Sequence, residues 1–204
     1  MPNWCNNEMT ISHPDPYMIQ RAADAWNRTE FLSDFIPEPK YIEPKEGGGQ
    51  MPDWWHWRIA NWGVKWDLGK DGAYGDDVKV ENGSFTVGFE SPWSPPVEAY
   101  KKLVEMGFTI EAYYFEGGIG FCGTYINEWD NEYSLEGLTP AQIRKRIPSK
   151  LNKMFGIADW YEEMLSEQYP NPPLPAHHER GIPEYRRIRT SYRAMRHTRR
   201  IRSV

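Results

Sequence analysis

Between residues 4 and 127 the hydrophobic period switches between two and 3.6 residues, and the order of those switches constrains the fold more than any other feature. Residues 4 to 12 alternate, with Cys5, Asn7, Met9 and Ile11 on one face and Trp4, Asn6, Glu8 and Thr10 on the other. Asp15-Pro16 then opens a helix, the aspartate as N-cap and the proline at the first helical position. Met18, Ile19, Ala22, Ala23 and Trp26 share one face of it. Further on, Val78 and Val80 alternate. Asn82-Gly83 is the favoured pair for a tight hairpin, because both residues tolerate positive φ. Phe85, Val87 and Phe89 alternate in the returning strand. Ser94-Pro95-Pro96 predicts a second helix capped by Ser94, with Val97, Tyr100, Leu103 and Val104 on its apolar face and Gly107 at its end. Phe108, Ile110, Ala112 and Tyr114 alternate, Gly117-Gly118 turns the chain, and residues 120 to 127 return as another strand.

Strand, helix, strand, strand, helix, strand is the split βαβ order of a ferredoxin-like α+β domain, here with one added hairpin strand. Two helices cover one face of its antiparallel sheet; the other face is free, or covered by the tryptophan-rich segment or by C-terminal helices. The domain spans residues 1–135. Residues 31–53, with four prolines and Gly47-Gly48-Gly49, read as a long irregular loop within a 31–60 insertion. A short helix over residues 53 to 60 and a turn at Gly63 follow. Beyond the domain, Thr139 and Gln142 form a capping box, Pro148 breaks the helix they start, and a further helix carries Ile157, Trp160, Tyr161, Met164 and Leu165. These C-terminal helices occupy residues 136–168, a stiff proline-rich linker residues 169–178, and an arginine-rich tail residues 179–204.

Five of the ten tryptophans, Trp54, Trp55, Trp57, Trp62 and Trp66, fall within thirteen residues. A tryptophan either seals a core or presents a flat stacking surface with one N–H donor. The segment is therefore a packed lid or a surface for a planar ligand or partner. On the second reading Trp62, Lys65, Trp66, Asp67 and Trp93 are the candidate contact residues, with Lys65 and Asp67 forming a polar rim.

Charge is segregated along the chain. Residues 179–204 hold nine arginines, no lysine and two acids, a net +7, while the rest of the chain carries −12. If helical, the tail places Tyr185, Ile188, Tyr192 and Met195 in one stripe and Arg186, Arg189, Arg193, Arg196 and Arg200 in the next. Arginine suits bidentate contact with phosphate or carboxylate. The tail thus reads as a nucleic-acid or acidic-partner element, or as a segment folded onto its own acidic body.

Signals for chemistry are weak. Asp67, Asp71, Asp76 and Asp77 lack the spacing of a calcium loop. The five histidines have no zinc-type spacing with Cys5 or Cys122. Cys5 has no local nucleophile motif, and the glycines of residues 116–123 lie between strands rather than before a helix. The expectation is no metal and no cofactor. With 39% hydrophobic residues, no long apolar run and no leader-like start, the expected location is the cytoplasm, with no membrane contact and both cysteines reduced.

Three segments are distinctive in combination: Asn61-Trp62-Gly63-Val64-Lys65-Trp66-Asp67, Ser91-Pro92-Trp93-Ser94-Pro95-Pro96, and Glu116-Gly117-Gly118-Ile119-Gly120-Phe121-Cys122-Gly123. With the start Met1-Pro2-Asn3-Trp4-Cys5, the chain resembles the YubB-like family over residues 1 to 130. That resemblance implies a ferredoxin-like domain carried on phages and conjugative plasmids. It supplies no catalytic residues. The expectation is a non-enzymatic phage or plasmid accessory protein that binds a host protein or other host macromolecule, or a nucleotide-like ligand, in the host cytoplasm, to counteract host defence. The alternative is a nucleic-acid-binding protein acting through the tail.

Overall fold

The computed structural model describes residues 3–42, 51–126 and 128–168. The described residues divide into two compact units, one within residues 3–116 and 123–132, the other within residues 117–122 and 133–168. The six strands are β1 (Trp4–Ser12), β2 (Ala73–Tyr74), β3 (Ser84–Pro92), β4 (Thr109–Glu116), β5 (Phe121–Ile126) and β6 (Trp129–Ser134). They form one sheet in the order β2-β3-β1-β4-β5-β6. Its first four strands, with β1 antiparallel to both β3 and β4, have the ferredoxin-like order.

In the first unit β1 alternates in burial along its whole length, as its period-two sequence requires. Helix α1 (Pro16–Asn27) begins with the Asp15 side chain accepting the Tyr17 N–H at 2.9 Å, and Ile19, Ala22, Ala23 and Trp26 are buried. Helix α4 (Val97–Glu105) buries Ala99, Tyr100 and Leu103, and Gly107 follows it at φ 95°. Helices α2 (Phe31–Phe35) and α3 (Asp53–Trp62) complete the layer, whose core joins Trp26, Phe31, Trp62, Val64 and Phe89. Helix α3 packs beside α4, so the tryptophan-rich segment belongs to this layer rather than lying across the other face of the sheet.

Four local expectations are corrected. Residues 31–35 are helical rather than irregular, because Phe31, Leu32 and Phe35 are buried and the carboxylate of distant Asp67 caps the first turn. Val78 and Val80 are not in a strand. The Asn27 side chain takes both backbone groups of Val78, at 2.9 and 3.1 Å, and the edge of the sheet is made by Ala73–Tyr74 against Phe89 and Gly88. The tight turn is present, with Asn82 and Gly83 at φ 52° and 76°. Ser94 does not cap α4; its hydroxyl donates to the Gly63 carbonyl at 2.9 Å. Strand β6 is an additional element, mostly exposed, so no apolar alternation marks it.

In the second unit, α5 (Pro140–Arg146) starts with the capping box of Thr139 and Gln142. Ile147 is extended before Pro148, as pre-proline sterics require, and α6 (Ser149–Phe155) ends at Gly156 with φ 60°. Helix α7 (Ile157–Gln168) is tied to α5 by Arg144, which contacts Asp159 at 2.7 Å and Glu162 at 2.6 Å. Leu135, Ile143, Leu151, Ile157 and Tyr161 are buried in this unit. No described helix is long and apolar enough to cross a membrane.

Candidate functional site

The segment after α3 is shaped residue by residue. Gly63 ends α3 in the left-handed region at φ 79°, and a Cβ there would lie 3.3 Å from the backbone nitrogens of Val97 and Glu98. Glycine is needed both for the turn and for this approach to α4. Asn61 accepts from the Lys102 ammonium, and Arg58 donates to the Lys65 carbonyl at 3.3 Å. Asp67 accepts from the backbone N–H groups of Leu32 at 2.6 Å, Leu68 at 2.8 Å and Ser33 at 3.1 Å. These anchors leave Lys65 and Trp66 between two fixed points.

The loop after β3 is equally constrained. Ser91, buried, accepts from Asn7 at 2.8 Å and donates to the Ser94 carbonyl at 2.7 Å, while Ser94 grips Gly63. Pro92, Pro95 and Pro96 are buried. Trp93, between them, has φ 65° and donates its N–H to the Asn3 carbonyl at 2.7 Å. A non-glycine residue in the left-handed region costs about 1–2 kcal/mol, and such a conformation persists only where the surroundings over-determine it. The result here is an indole held at the surface.

The two segments bring Trp66 and Trp93 together, and with Trp4 of β1 they make a row of three rings. Trp66 and Trp93 are stacked, centroids 6.4 Å apart and planes at 29°, and the Trp4 ring lies 5.8 Å from that of Trp66, tilted by 32°. The Lys65 ammonium sits 4.9 Å from the Trp66 centroid and 6.0 Å from that of Trp93, a cation–π position on both. Trp66 and Trp93 remain 39% and 40% exposed. Next to the row, Arg58 lies over Trp54 and Trp62 at 5.1 and 4.8 Å and pairs with Glu38 at 2.6 Å.

Of the five candidates from the sequence, Lys65, Trp66 and Trp93 converge. Trp62 does not join them: it is 1% exposed, its indole N–H donates to the Ile36 carbonyl at 3.0 Å, and it belongs to the core. Asp67 is the cap of α2, not a rim to a pocket. Trp4 was missed as a site residue, although its alternation away from buried Cys5 and its place in the distinctive start were visible. Arg186, Arg189, Arg193, Arg196 and Arg200 lie outside the described residues.

A second gathering of functional groups is sealed. Cys5, Asn7, Ser91, Tyr100, Glu116 and Tyr125 are all buried. Burial, helped by the Glu116 charge, pushes the Cys5 thiol well above its ordinary range, which keeps it protonated and unreactive. Asn7 Oδ1 and the hydroxyls of Tyr100 and Tyr125 are buried with no hydrogen-bond partner in the described structure. These groups can specify packing, but as they stand no substrate reaches them. Among the described residues no cluster of three or more His, Cys, Asp or Glu is placed to hold a metal ion. A groove of about 750 Å³ opens beside β2, lined by Tyr74, Asp76, Asp77 and Lys79 among others, and none of its lining residues belongs to the tryptophan row.

No curated protein matches the chain. No solved structure matches it. The family model described as "Ferredoxin-like domain in Api92-like protein" matches residues 61–147, so the chain is similar to that family over a stretch that includes Lys65, Trp66 and Trp93 but not Trp4.

Proposed function

We infer that the protein works by binding rather than by chemistry, and that the row Trp4–Trp66–Trp93 with Lys65 is its contact surface. The observation that carries this reading is the backbone of Trp93. The loop holds a bulky residue in an unfavourable conformation, and its consequence is a displayed ring. Exposed aromatic faces beside an ammonium suit a nucleotide-like ligand, the base on the indoles and the phosphate on Lys65, or the aromatic anchor of a host protein. The resemblance to YubB-like proteins supports a phage or plasmid origin, action in the host cytoplasm, and counteracting host defence as the purpose.

The test is titration of the full chain with a panel of nucleotides, and capture from host lysate with and without nuclease, for wild type and for the Trp66→Ala/Trp93→Ala variant. The reading expects a fluorescence change on binding and about tenfold or greater weakening in the variant. Affinity unchanged by the double substitution removes this site.

A second reading rests on the +7 charge of residues 179–204. There the tail binds nucleic acid, and affinity falls steeply with salt because arginines displace condensed counterions. Deleting residues 179–204 should abolish that binding; retained affinity rules the tail out.

A further inference from the structure

The sheet ends at β6, and among the described residues no strand pairs with its outer edge. An open edge presents unpaired N–H and C=O groups and joins whatever strand arrives, so proteins blunt edges with lysine, proline, bulges or a covering element. Residues 128–136 contain no lysine, arginine, proline or glycine, and carry Glu128, Asp130, Glu132 and Glu136. Every residue from 128 to 132 is exposed, and Trp129 is 74% exposed.

The acids are ordered by the strand. Asp130 and Glu132 share one face by alternation, and Trp129 and Asn131 the opposite one. Asp130 is held by the Tyr114 hydroxyl, which donates to it at 2.7 Å. Tyr114 reaches it from β4 by crossing β5 at Gly123, where a Cβ would collide with the phenol. Partial burial, and then the Asp130 charge, push the Glu132 carboxyl above its ordinary range. The buried Tyr125 hydroxyl has no partner in the described structure and feels the charges of Glu128, Asp130 and Glu98. The edge thus concentrates negative charge that a cation would relieve.

We propose that β6 is an acceptor edge for an extended basic segment of a partner protein. The partner adds as a strand through its backbone, its alternate arginine or lysine side chains meet Asp130 and Glu132, and its other face packs on Trp129. A second copy of this chain fits poorly, since an antiparallel copy sets acids against acids, and like charges directly opposite are destabilising. Nucleic acid is repelled by the same charges. This surface shares no residue with the tryptophan row, so the two stand or fall separately.

The test uses the full chain and a dye-labelled six-residue peptide of alternating arginine and valine, read by fluorescence anisotropy. Saturable binding is expected. Trp129→Ala should weaken it about tenfold and Glu132→Gln about threefold, while Trp66→Ala leaves it unchanged. In an extended strand the N–H groups of successive residues point to opposite edges. Methylating the peptide nitrogens at arginines only, or at valines only, keeps the charge, and one pattern should block binding while the other is tolerated. Equal binding of both methylated peptides reduces the contact to undirected charge attraction and overturns the proposal. So does undiminished binding by the Trp129→Ala/Glu132→Lys variant, or a concentration-dependent dimer that the peptide cannot dissociate. Circular dichroism of each variant checks that the exposed substitutions leave the fold intact.

Discussion

Trp62 and Trp66 stand four residues apart and serve opposite ends. Trp62 is sealed in the core, its one polar atom bonded to Ile36; Trp66 is part-exposed, stacked with Trp93 and tilted against Trp4, with a cation beside it. Gly63 separates them by reversing the chain at the end of α3. The difference teaches that composition alone does not make an aromatic site. A single left-handed residue turns one tryptophan inward and leaves another displayed, and the same conformation at Trp93 supplies its stacking partner.

The largest effect separates the two rings directly. Trp62→Ala should cost about 3–5 kcal/mol in urea unfolding, whereas Trp66→Ala should stay within about 0.5 kcal/mol of wild type. Similar losses at both positions would break the distinction. Asp67 comes next. Asp67→Ala removes the acceptor of three backbone N–H groups and should cost about 1–2 kcal/mol, with α2 exchanging its amide hydrogens faster. Undisturbed exchange in α2 would return Asp67 to the surface row.

Smaller effects sharpen the contrast between the row and the sealed polar cluster. Tyr125→Phe deletes a buried hydroxyl that has no described partner, so stability should stay level or rise by up to about 1 kcal/mol. A clear loss of stability would mean that the hydroxyl has a partner such as an internal water. The smallest effect is in pH. Burial raises the thiol of Cys5 and the phenols of Tyr100, Tyr114 and Tyr125. An acid raised in the folded state holds its proton there after the unfolded chain has lost it. Stability is therefore intact below the ordinary thiol and phenol ranges and declines as pH rises through them. Urea midpoints across the alkaline range should fall, and Tyr125→Phe should flatten the fall. A flat wild-type profile would mean that the cluster is hydrated.

Local chemistry made much of the fold legible. Asp15-Pro16, Asn82-Gly83, Gly107 and the Thr139–Gln142 box each act within four residues, and each is where the sequence places it. Elements stabilised from afar were not legible. Helix α2 has five residues and a cap from Asp67, the Val78 segment is captured by Asn27, and β6 is a polar edge. The candidate site was half visible: Lys65, Trp66 and Trp93 were identifiable by residue type, but nothing in their spacing separates them from Trp62.

The sequence by itself determined the ferredoxin-like order apart from the position of its edge strand β2, because alternation and caps are written in neighbouring residues and need no partner to be read. Only the tertiary structure decided which tryptophans are displayed. That depends on Ser94 reaching Gly63, Asn3 taking the Trp93 amide and Asp67 holding α2, contacts between residues that lie 31, 90 and 35 positions apart in the chain. Such contacts close only after the chain has collapsed, so the surface they build has no signature in any short window of sequence.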